Sequence, residues 1–572
     1  MSASSKKMLR KEQKAAALTE KQLQEQREAK KLKAYTVTFV VAMILVAAIV
    51  LGVVAAPYVE GALRSSTHAV TIGDHELTSG ELTYYYVDAI SSYHDEVYST
   101  YYSYYGNYWY LMLGFDTTKA LNKQIKDQEK NTTWADYFLD IAIENAQSVY
   151  ALYDDAMANN YKMSDEDQKT LDNSLASLLT YAKYNGCNTV NEYLRSIYGS
   201  SANEKEYSEY YRITTLASAY YTDHSDSIEY EAKDYRAYEN EKKHEYNTYT
   251  FVYHTLNMSA YLGEGTKDDK GNTTWTDEEK NAAREKVKAD MEALKAAGIT
   301  NKESFDKALQ ELDIYKYDKD GKPVADDKKT TAKESKDTFY ANMYVNEAAK
   351  KWLIEEGRKD GDVEVFPIYD SASSSEKDES KKIVNGYYIV LFNECDTNEV
   401  YLTNVRHILV KFEGGTKDKD GNVTYSEKEK AAAKTEAEKI LKEFQDSIKD
   451  ETDIAKIEKA FGELANKKSD DQGGKVTNGG LYEDIYPGQM VEPFEKWCFE
   501  EGRKTGDTGL VETEYGWHVM FYSSTDELTY RDFMIDYDLR ADDMKKWHED
   551  LLKKVEVTVV NLNFMEHDIV VG

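Results

Sequence analysis

A twelve-residue segment occurs twice in this chain of 572 residues. Residues 351–362 (KWLIEEGRKDGD) and 496–507 (KWCFEEGRKTGD) are identical at nine of twelve positions. Upstream of each segment, VYHTL at 252–256 corresponds to VRHIL at 405–409, and a Gly-Thr-Lys-Asp turn and an Ala/Glu/Lys-rich helix follow both. Self-similarity of this kind is typical of a duplicated domain. We therefore predict two copies of one domain within a chain too long for a single hydrophobic core.

The two predicted copies span residues 245–398 and 399–525. In the second copy, a strand at 405–411 precedes an amphipathic helix whose inward residues include Ala437, Ile440 and Phe444. A second helical stretch, a glycine-rich turn, a short helix and a final strand at 517–522 follow. This order of elements predicts an α+β domain with an antiparallel sheet and surrounding helices.

An uncharged segment runs from Ala34 to Val59, and its apolar part is long enough to cross a hydrocarbon core of roughly 30 Å. A cleaved signal peptide would have a shorter apolar region, and Pro57 would fit poorly behind a cleavage point at Ala56. We therefore predict one transmembrane helix at 34–59, preceded by a basic cytoplasmic tail at 1–33. By the positive-inside rule, the bulk of this single-pass protein is expected outside the cell.

Residues 60–244 are predicted to be mainly helical, after a hairpin at 69–77 and a capping box from Thr78 to Glu81. The tyrosine-dense stretch 93–110 has two interpretations. Its rings could line a cleft for unfolded chains, or they could pack between helices, which we favour. Residues 526–572 are predicted to form a helix and a strand that dock on the N-terminal helical domain.

The net charge of -32 argues against a nucleic-acid partner, because phosphate binding needs a basic surface. The three cysteines are widely spaced, which fits neither a disulfide framework nor a CxxC site, so we expect buried free thiols. The segment 416–421 loosely resembles a calcium loop, but Thr416 is a poor first ligand and a β-hairpin is the favoured interpretation. No metal or cofactor is expected.

The second copy carries a series of short motifs in a fixed order: His407-Ile-Leu-Val-Lys411, Ser469-Asp-Asp471, Gly479-Gly480, Gly488-Gln-Met490, Phe494 and Gly516-Trp-His-Val519. In this order they resemble the parvulin family of peptidyl-prolyl cis/trans isomerases. The whole chain is similar to the PrsA and SurA group of extracytoplasmic foldases, which implies that residues 60–244 form a chaperone domain. Unfolded or partly folded secreted polypeptides are then the expected partners.

The resemblance also implies roles for single residues. His407 and His518 are the paired imidazoles behind the pocket, and Asp471 occupies the position of the family's Cys or Asp. Met490 and Phe494, which we place four apart on one helix face, suit an apolar slot for the proline ring, with Tyr482 and Thr513 as further wall positions. The segment after Lys411 lacks the basic cluster of phosphate-directed parvulins, so no phosphoserine specificity is expected.

The first copy is expected to be a degenerate, inactive parvulin-like domain. In an ungapped alignment it keeps a histidine at position 254, but it has Tyr388 in place of His518 and Ala349 in place of Phe494. Three functions were weighed for the whole chain. A foldase with isomerase activity is favoured over a holdase with a vestigial site, and both are favoured over a structural envelope protein. The oligomeric state is not predicted.

Overall fold

A computed structural model describes residues 61–565 except 241, 268, 318–321, 379–380, 420 and 472–477. The described chain has a mixed α/β architecture in two compact units, the first made of residues 61–229 and 541–565 and the second of residues 230–540. The predicted tail and transmembrane helix, residues 1–59, lie outside the described residues. Within the described ranges, every helix is too short or too polar to cross a membrane.

The strands, numbered in chain order, are β1 (His68–Ile72), β2 (His75–Thr78), β3 (Ile125–Asp127), β4 (Thr132–Thr133), β5 (Thr248–Asn257), β6 (Thr266–Lys267), β7 (Thr273–Thr274), β8 (Lys333–Phe339), β9 (Val363–Tyr369), β10 (Val384–Asp396), β11 (Tyr401–Lys411), β12 (Thr416–Lys417), β13 (Val423–Thr424), β14 (Leu481–Ile485), β15 (Thr508–Thr513), β16 (Gly516–Thr529) and β17 (Val557–Val559). The α-helices are Ser79–Tyr105, Trp134–Ala158, Asp165–Ala176, Leu178–Tyr184, Val190–Tyr198, Glu204–Asp226, Ala232–Glu239, Asp277–Ala296, Lys302–Gln310, Asp313–Lys316, Glu347–Leu353, Glu427–Ser447, Ile454–Lys468, Glu492–Cys498 and Tyr530–Leu552.

The first unit is a helical domain with a three-stranded sheet of order β17-β1-β2. The predicted capping box is confirmed, since Thr78 and Glu81 exchange hydrogen bonds where the helix Ser79–Tyr105 begins. The C-terminal strand β17 pairs antiparallel with β1. Ahead of β17, Met544 and Leu551 are buried on one face of the helix Tyr530–Leu552.

Most of the tyrosine-dense stretch does not pack inside the first unit. Tyr93 lies against Trp134 and Phe138, but the rings of the helix end beyond Val97 are largely exposed, with Tyr104 81% accessible. The favoured interpretation, helix packing, is therefore wrong for this part. Periodicity failed here because Tyr tolerates both environments, so its spacing does not reveal which face is buried.

The second unit contains two four-stranded antiparallel sheets with the same topology. Their strand orders are β8-β5-β10-β9 and β14-β11-β16-β15. In each sheet, two long central strands are paired with two shorter edge strands. The predicted hairpin at 416–421 is confirmed as the pair β12–β13.

Both faces of the second sheet are covered by helices. Ile408, Val519 and Phe521 pack with Phe444 and Phe461, which belong to the helices Glu427–Ser447 and Ile454–Lys468. On the opposite face, Val405 and Met520 pack against Phe494 and Cys498 in the short helix Glu492–Cys498. Side chains alternate between faces along each strand, so residues 405, 407 and 409 all point toward the short helix.

The strand register corrects the alignment of the two copies by one residue. His407 is opposite Met520 in the second sheet, whereas the residue opposite the equivalent Val390 in the first sheet is Tyr253. His254 therefore points to the other face, where its Nε2 lies 2.8 Å from the Tyr315 hydroxyl. A shift of one residue exchanges the two faces of a strand. The first sheet therefore has tyrosine, not histidine, in the position of His407.

Candidate active site

The two central strands of the second sheet bring His407 and His518 together. His407 is opposite Met520 and His518 is opposite Leu409, so the two imidazoles are diagonal neighbours on the face covered by the helix Glu492–Cys498. Their Nδ1 atoms are 3.1 Å apart, and both side chains are buried. The sequence motifs are 111 residues apart, and the register of β11 with β16 is what joins them.

Asp471 is held beside His407 by a segment that follows the edge of β11. Leu409 N–H donates to Ser469 Oγ, and Asp470 N–H donates to the Leu409 carbonyl at 2.8 Å. These bonds place an Asp471 oxygen 3.2 Å from His407 Nε2. The Tyr482 hydroxyl, from the neighbouring strand β14, donates to the same oxygen at 2.8 Å.

The hydrogen-bond chain assigns a tautomer to His518. Thr513 Oγ1 accepts from Tyr515 N–H, so its own proton is free to donate to His518 Nε2, 2.8 Å away. His518 then carries its proton on Nδ1 and donates it to His407 Nδ1. On the other side of this pair, His407 Nε2 lies 3.2 Å from an Asp471 carboxylate oxygen. Both ring nitrogens of His518 have a partner in this arrangement, which corresponds to a neutral imidazole.

Burial supports the neutral state of the inner imidazole. Removal from water, with the neighbouring His407 acting in the same direction, lowers the pKa of His518 to about 3, although Asp471 opposes the shift. Burial and the adjacent Asp471 carboxylate also raise the pKa of Tyr482 to about 12, so this phenol remains a hydrogen-bond donor at neutral pH. The base of the site therefore combines the neutral His518 and Tyr482 side chains with the Asp471 carboxylate.

Aromatic and aliphatic side chains form the walls above this base. The Phe494 ring is nearly perpendicular to both imidazoles, with its centroid 5.4 Å from each. Tyr482 closes one side, with its ring centroid 4.9 Å from that of His407. Together with Met490 these side chains border an open cavity of about 450 Å³. That size suits a short stretch of polypeptide.

Two glycines allow the backbone to approach His407 closely. Gly479 and Gly480 both have positive φ, and the Gly480 carbonyl accepts from His407 N–H at 2.9 Å. A Cβ on Gly480 would collide with the His407 carbonyl oxygen. The Gly-Gly turn therefore allows β14, and with it Tyr482, to pair with β11 beside the imidazoles.

The structure places six of the seven predicted site residues around one cavity. His407, Asp471, His518, Tyr482, Met490 and Phe494 line it, while Thr513 lies behind His518. The expectation that Met490 and Phe494 share a helix face is wrong, because the helix begins at Glu492 and Met490 precedes it. Pro493 fits the first helical turn, where its missing N–H has no partner to lose.

Sequence reasoning missed five further residues at the cavity, namely Leu409, Lys411, Gln489, Val491 and Tyr515. Two of them carried a usable signal. Leu409 and Lys411 are two and four residues after His407 on one strand, so period-2 alternation places all three on one face. The other three lie in loops, for which alternation predicts no direction.

The site has the properties needed to isomerise a peptide bond before proline. The reaction rotates a C–N bond against a barrier of about 20 kcal/mol and breaks no bond, so it needs neither nucleophile nor metal. A catalyst of this reaction needs an apolar slot for the proline ring and surroundings that favour the twisted amide, which is less charge-separated than the planar one.

The first sheet lacks this arrangement. The face that corresponds to the site is covered by Tyr253, Tyr388, Phe366 and Leu353, with Ala349 buried where the second copy has Phe494. Burial lowers the pKa of His254 to about 4, and this histidine points to the opposite face. No pair of imidazoles exists among the described residues of this sheet.

Comparison with known proteins matches the same region. Residues 387–523 match the family model of the PPIC-type PPIASE domain. The foldase protein PrsA of Exiguobacterium sibiricum is 28% identical over 120 residues, which cover 18% of this chain and 38% of that protein. The foldase protein PrsA 1 of Listeria innocua is 37% identical over 71 residues, covering 12% and 24%. The chain thus spans less than half the length of the curated relatives it matches.

Two solved structures are similar to part of the chain. PrsA from Bacillus anthracis is 20% identical with a TM-score of 0.16, and the match covers 27% of this chain and 58% of that one. PrsA from Bacillus subtilis is 22% identical with a TM-score of 0.17, covering 29% and 54%. The family model and the PrsA relatives together show that this chain contains a parvulin-type peptidyl-prolyl cis/trans isomerase domain related to that of the PrsA foldases.

Proposed function

We propose that the protein is a membrane-anchored foldase that isomerises X-Pro bonds in secreted or cell-envelope polypeptides outside the cell. The observation that carries this proposal is the single cavity that joins His407, Asp471 and His518 to the apolar walls formed by Met490 and Phe494. Each of these residues belongs to one of the short parvulin-like motifs of the second copy, and their geometry agrees with the needs of amide rotation.

The proposed roles follow from position. Met490, Phe494 and Tyr482 receive the proline ring, because their apolar surfaces face the cavity. His407, His518 and Asp471 form the base of the cavity, where the neutral His518 adds no charge beneath the ring. Thr513 positions His518 from behind. The two copies of the domain are proposed to have diverged, with only the second retaining the site.

The location outside the membrane is proposed from the uncharged segment 34–59 and its basic flank. The three cysteines are free thiols, but the expectation that all are buried is wrong, because Cys187 is half-buried and Cys395 is exposed. A chaperone role is proposed for the first unit. Its exposed aromatic rings between residues 98 and 112 offer apolar surface to unfolded chains without demanding a sequence.

A refolding assay separates this function from the alternative, a holdase with a vestigial isomerase site. The substrate is a denatured protein whose last refolding phase is limited by X-Pro isomerisation, which takes tens of seconds without a catalyst. The intact chain is expected to accelerate that phase. Phe494→Ala, which empties the slot, is expected to lose the acceleration while still suppressing aggregation. A holdase would raise only the yield of refolding, equally with both proteins.

A further inference from the structure

A second cavity in the same unit is lined mainly by aromatic rings. It encloses about 530 Å³, and no part of the proposed isomerase reaction uses it. Tyr486 and Tyr530 stack at its wall with ring centroids 4.4 Å apart, and Phe533 lies 6.5 Å from Tyr486. Tyr537 is 71% exposed at its opening. One exposed ring and several half-buried rings around a cavity of this size indicate a binding site for another molecule.

Two carboxylates border the aromatic cavity. Glu245 is exposed, and Asp538 is half-buried, where it accepts a hydrogen bond from the Tyr246 hydroxyl at 2.9 Å. Neither carboxylate forms an ion pair with a lysine or arginine in the described part of the chain. Carboxylates next to ring faces attract a cation by charge and by the ring quadrupole. This combination selects a basic side chain.

The rings at this cavity already contact cations of the protein itself. Lys350 Nζ lies 5.3 Å from the centroid of the Tyr340 ring, and the Arg531 guanidinium lies 5.8 Å from that of Tyr246. Each of these cations is neutralised by its own partner, Lys350 by Glu347 and Arg531 by Glu239. They therefore leave the charge of Glu245 and Asp538 uncompensated.

A turn joins the aromatic cavity to the cavity above His407 and His518, here called the isomerase cavity. Tyr486 lines the first, whereas Gln489 and Met490 line the second. The Tyr486 carbonyl accepts from Gln489 N–H, and the Gln489 side chain accepts from Tyr486 N–H at 3.2 Å. The walls of the two cavities are therefore only three residues apart in the chain, at Tyr486 and Gln489.

We propose that the aromatic cavity binds a lysine or arginine side chain of the client polypeptide, a few residues away from the proline held in the isomerase cavity. This inference rests on the proposed function and adds a preference for basic residues near the X-Pro bond. The site acts by lowering KM. It does not touch the rotating amide, so kcat is unchanged.

The test compares three peptides with the intact chain. One is an X-Pro tetrapeptide, and two are longer peptides around the same core that carry either Arg or Glu at matched positions three to five residues before and after the proline. We expect a lower KM for the Arg peptide than for the Glu peptide, and a loss of that difference in high salt.

Three variants locate the preference. Tyr537→Ser, Glu245→Gln and Asp538→Asn are each expected to raise KM for the Arg peptide about threefold to tenfold. Their kinetics on the tetrapeptide should stay within twofold of the wild type. Tyr344→Ser and Glu356→Gln are matched controls, because both residues are exposed and neither lines the cavity. Glu245→Gln remains informative if Asp538→Asn fails to fold.

The inference is overturned if the Arg and Glu peptides have equal KM, or if the three variants behave like the two controls. It is also overturned if a Trp peptide has a KM as low as that of the Arg peptide and Glu245→Gln and Asp538→Asn leave that KM unchanged. The cavity would then be an apolar site. Failure of the proposed function is a different result, in which the wild type does not accelerate the tetrapeptide. Fluorescence anisotropy with the labelled Arg and Glu peptides still decides the binding preference in that case.

Discussion

Replacement of Thr513 by valine tests the hydrogen-bond chain beneath the site. Valine keeps the shape of threonine but removes the hydroxyl that donates to His518 Nε2 and accepts from Tyr515 N–H. His518 is only 6% exposed, so water cannot replace the lost donor. A buried acceptor without a partner costs about 1–3 kcal/mol. The same loss removes the restraint that selects the Nδ1–H tautomer.

Native-state hydrogen exchange measures this cost where it arises. The exchange free energies of the β11 and β16 amides are expected to fall by about 1–3 kcal/mol in Thr513→Val, because those strands carry the two imidazoles. Thr513→Ser keeps the hydroxyl and serves as the matched control, with a fall of less than half as much. Catalysis by Thr513→Val should drop while that of Thr513→Ser persists. Equal exchange and equal catalysis in the two variants would refute the assigned chain of donors.

Three further predictions concern single residues. By NMR titration, His518 should remain neutral from pH 8 to about pH 4, because its folded pKa is near 3; a midpoint near 6.5 would contradict its burial. The unfolded chain then binds more protons between about pH 6.5 and 3, so this residue's contribution to stability is complete above pH 6.5 and is lost as the pH falls. In urea denaturation, Gly480→Ala should lower the free energy of unfolding by more than Gly488→Ala. Both glycines have positive φ, but of the two only Gly480 faces a backbone oxygen, that of His407. Equal losses of unfolding free energy would exclude the close approach. Tyr253→Ala should leave X-Pro isomerisation unchanged, and a matching loss of activity would place a second site in the first sheet.

The sequence was sufficient where local chemistry decides the structure. The capping box at Thr78, the hairpin after Lys411 and the strand that carries His518 all depend on residues near in sequence, and all were predicted. Six of the residues around the cavity were also predicted, because the motif order of a known family carried information that single residues lack. Periodicity alone would not have joined His407 to His518.

The register of the strands and the exposure of single side chains could not be predicted from the sequence. An ungapped alignment matched His254 to His407. The pairing of β5 with β10 instead differs by one residue from the pairing of β11 with β16, and it is irregular between Phe392 and Glu394. One residue is enough to reverse a face. Thr513 was expected in the wall, yet its side chain turns toward His518, because a buried imidazole nitrogen requires a partner.

The most direct test of the central claim is exchange NMR on a short peptide with one X-Pro bond. Without a catalyst, cis and trans forms interconvert over tens of seconds, too slowly for exchange cross-peaks to appear. The intact chain is expected to produce cross-peaks between the two forms at substoichiometric concentration, and Phe494→Ala is expected to abolish them, because the ring bordering the cavity is lost. An unchanged spectrum with the folded wild-type chain would contradict the assignment of this cavity as an isomerase site.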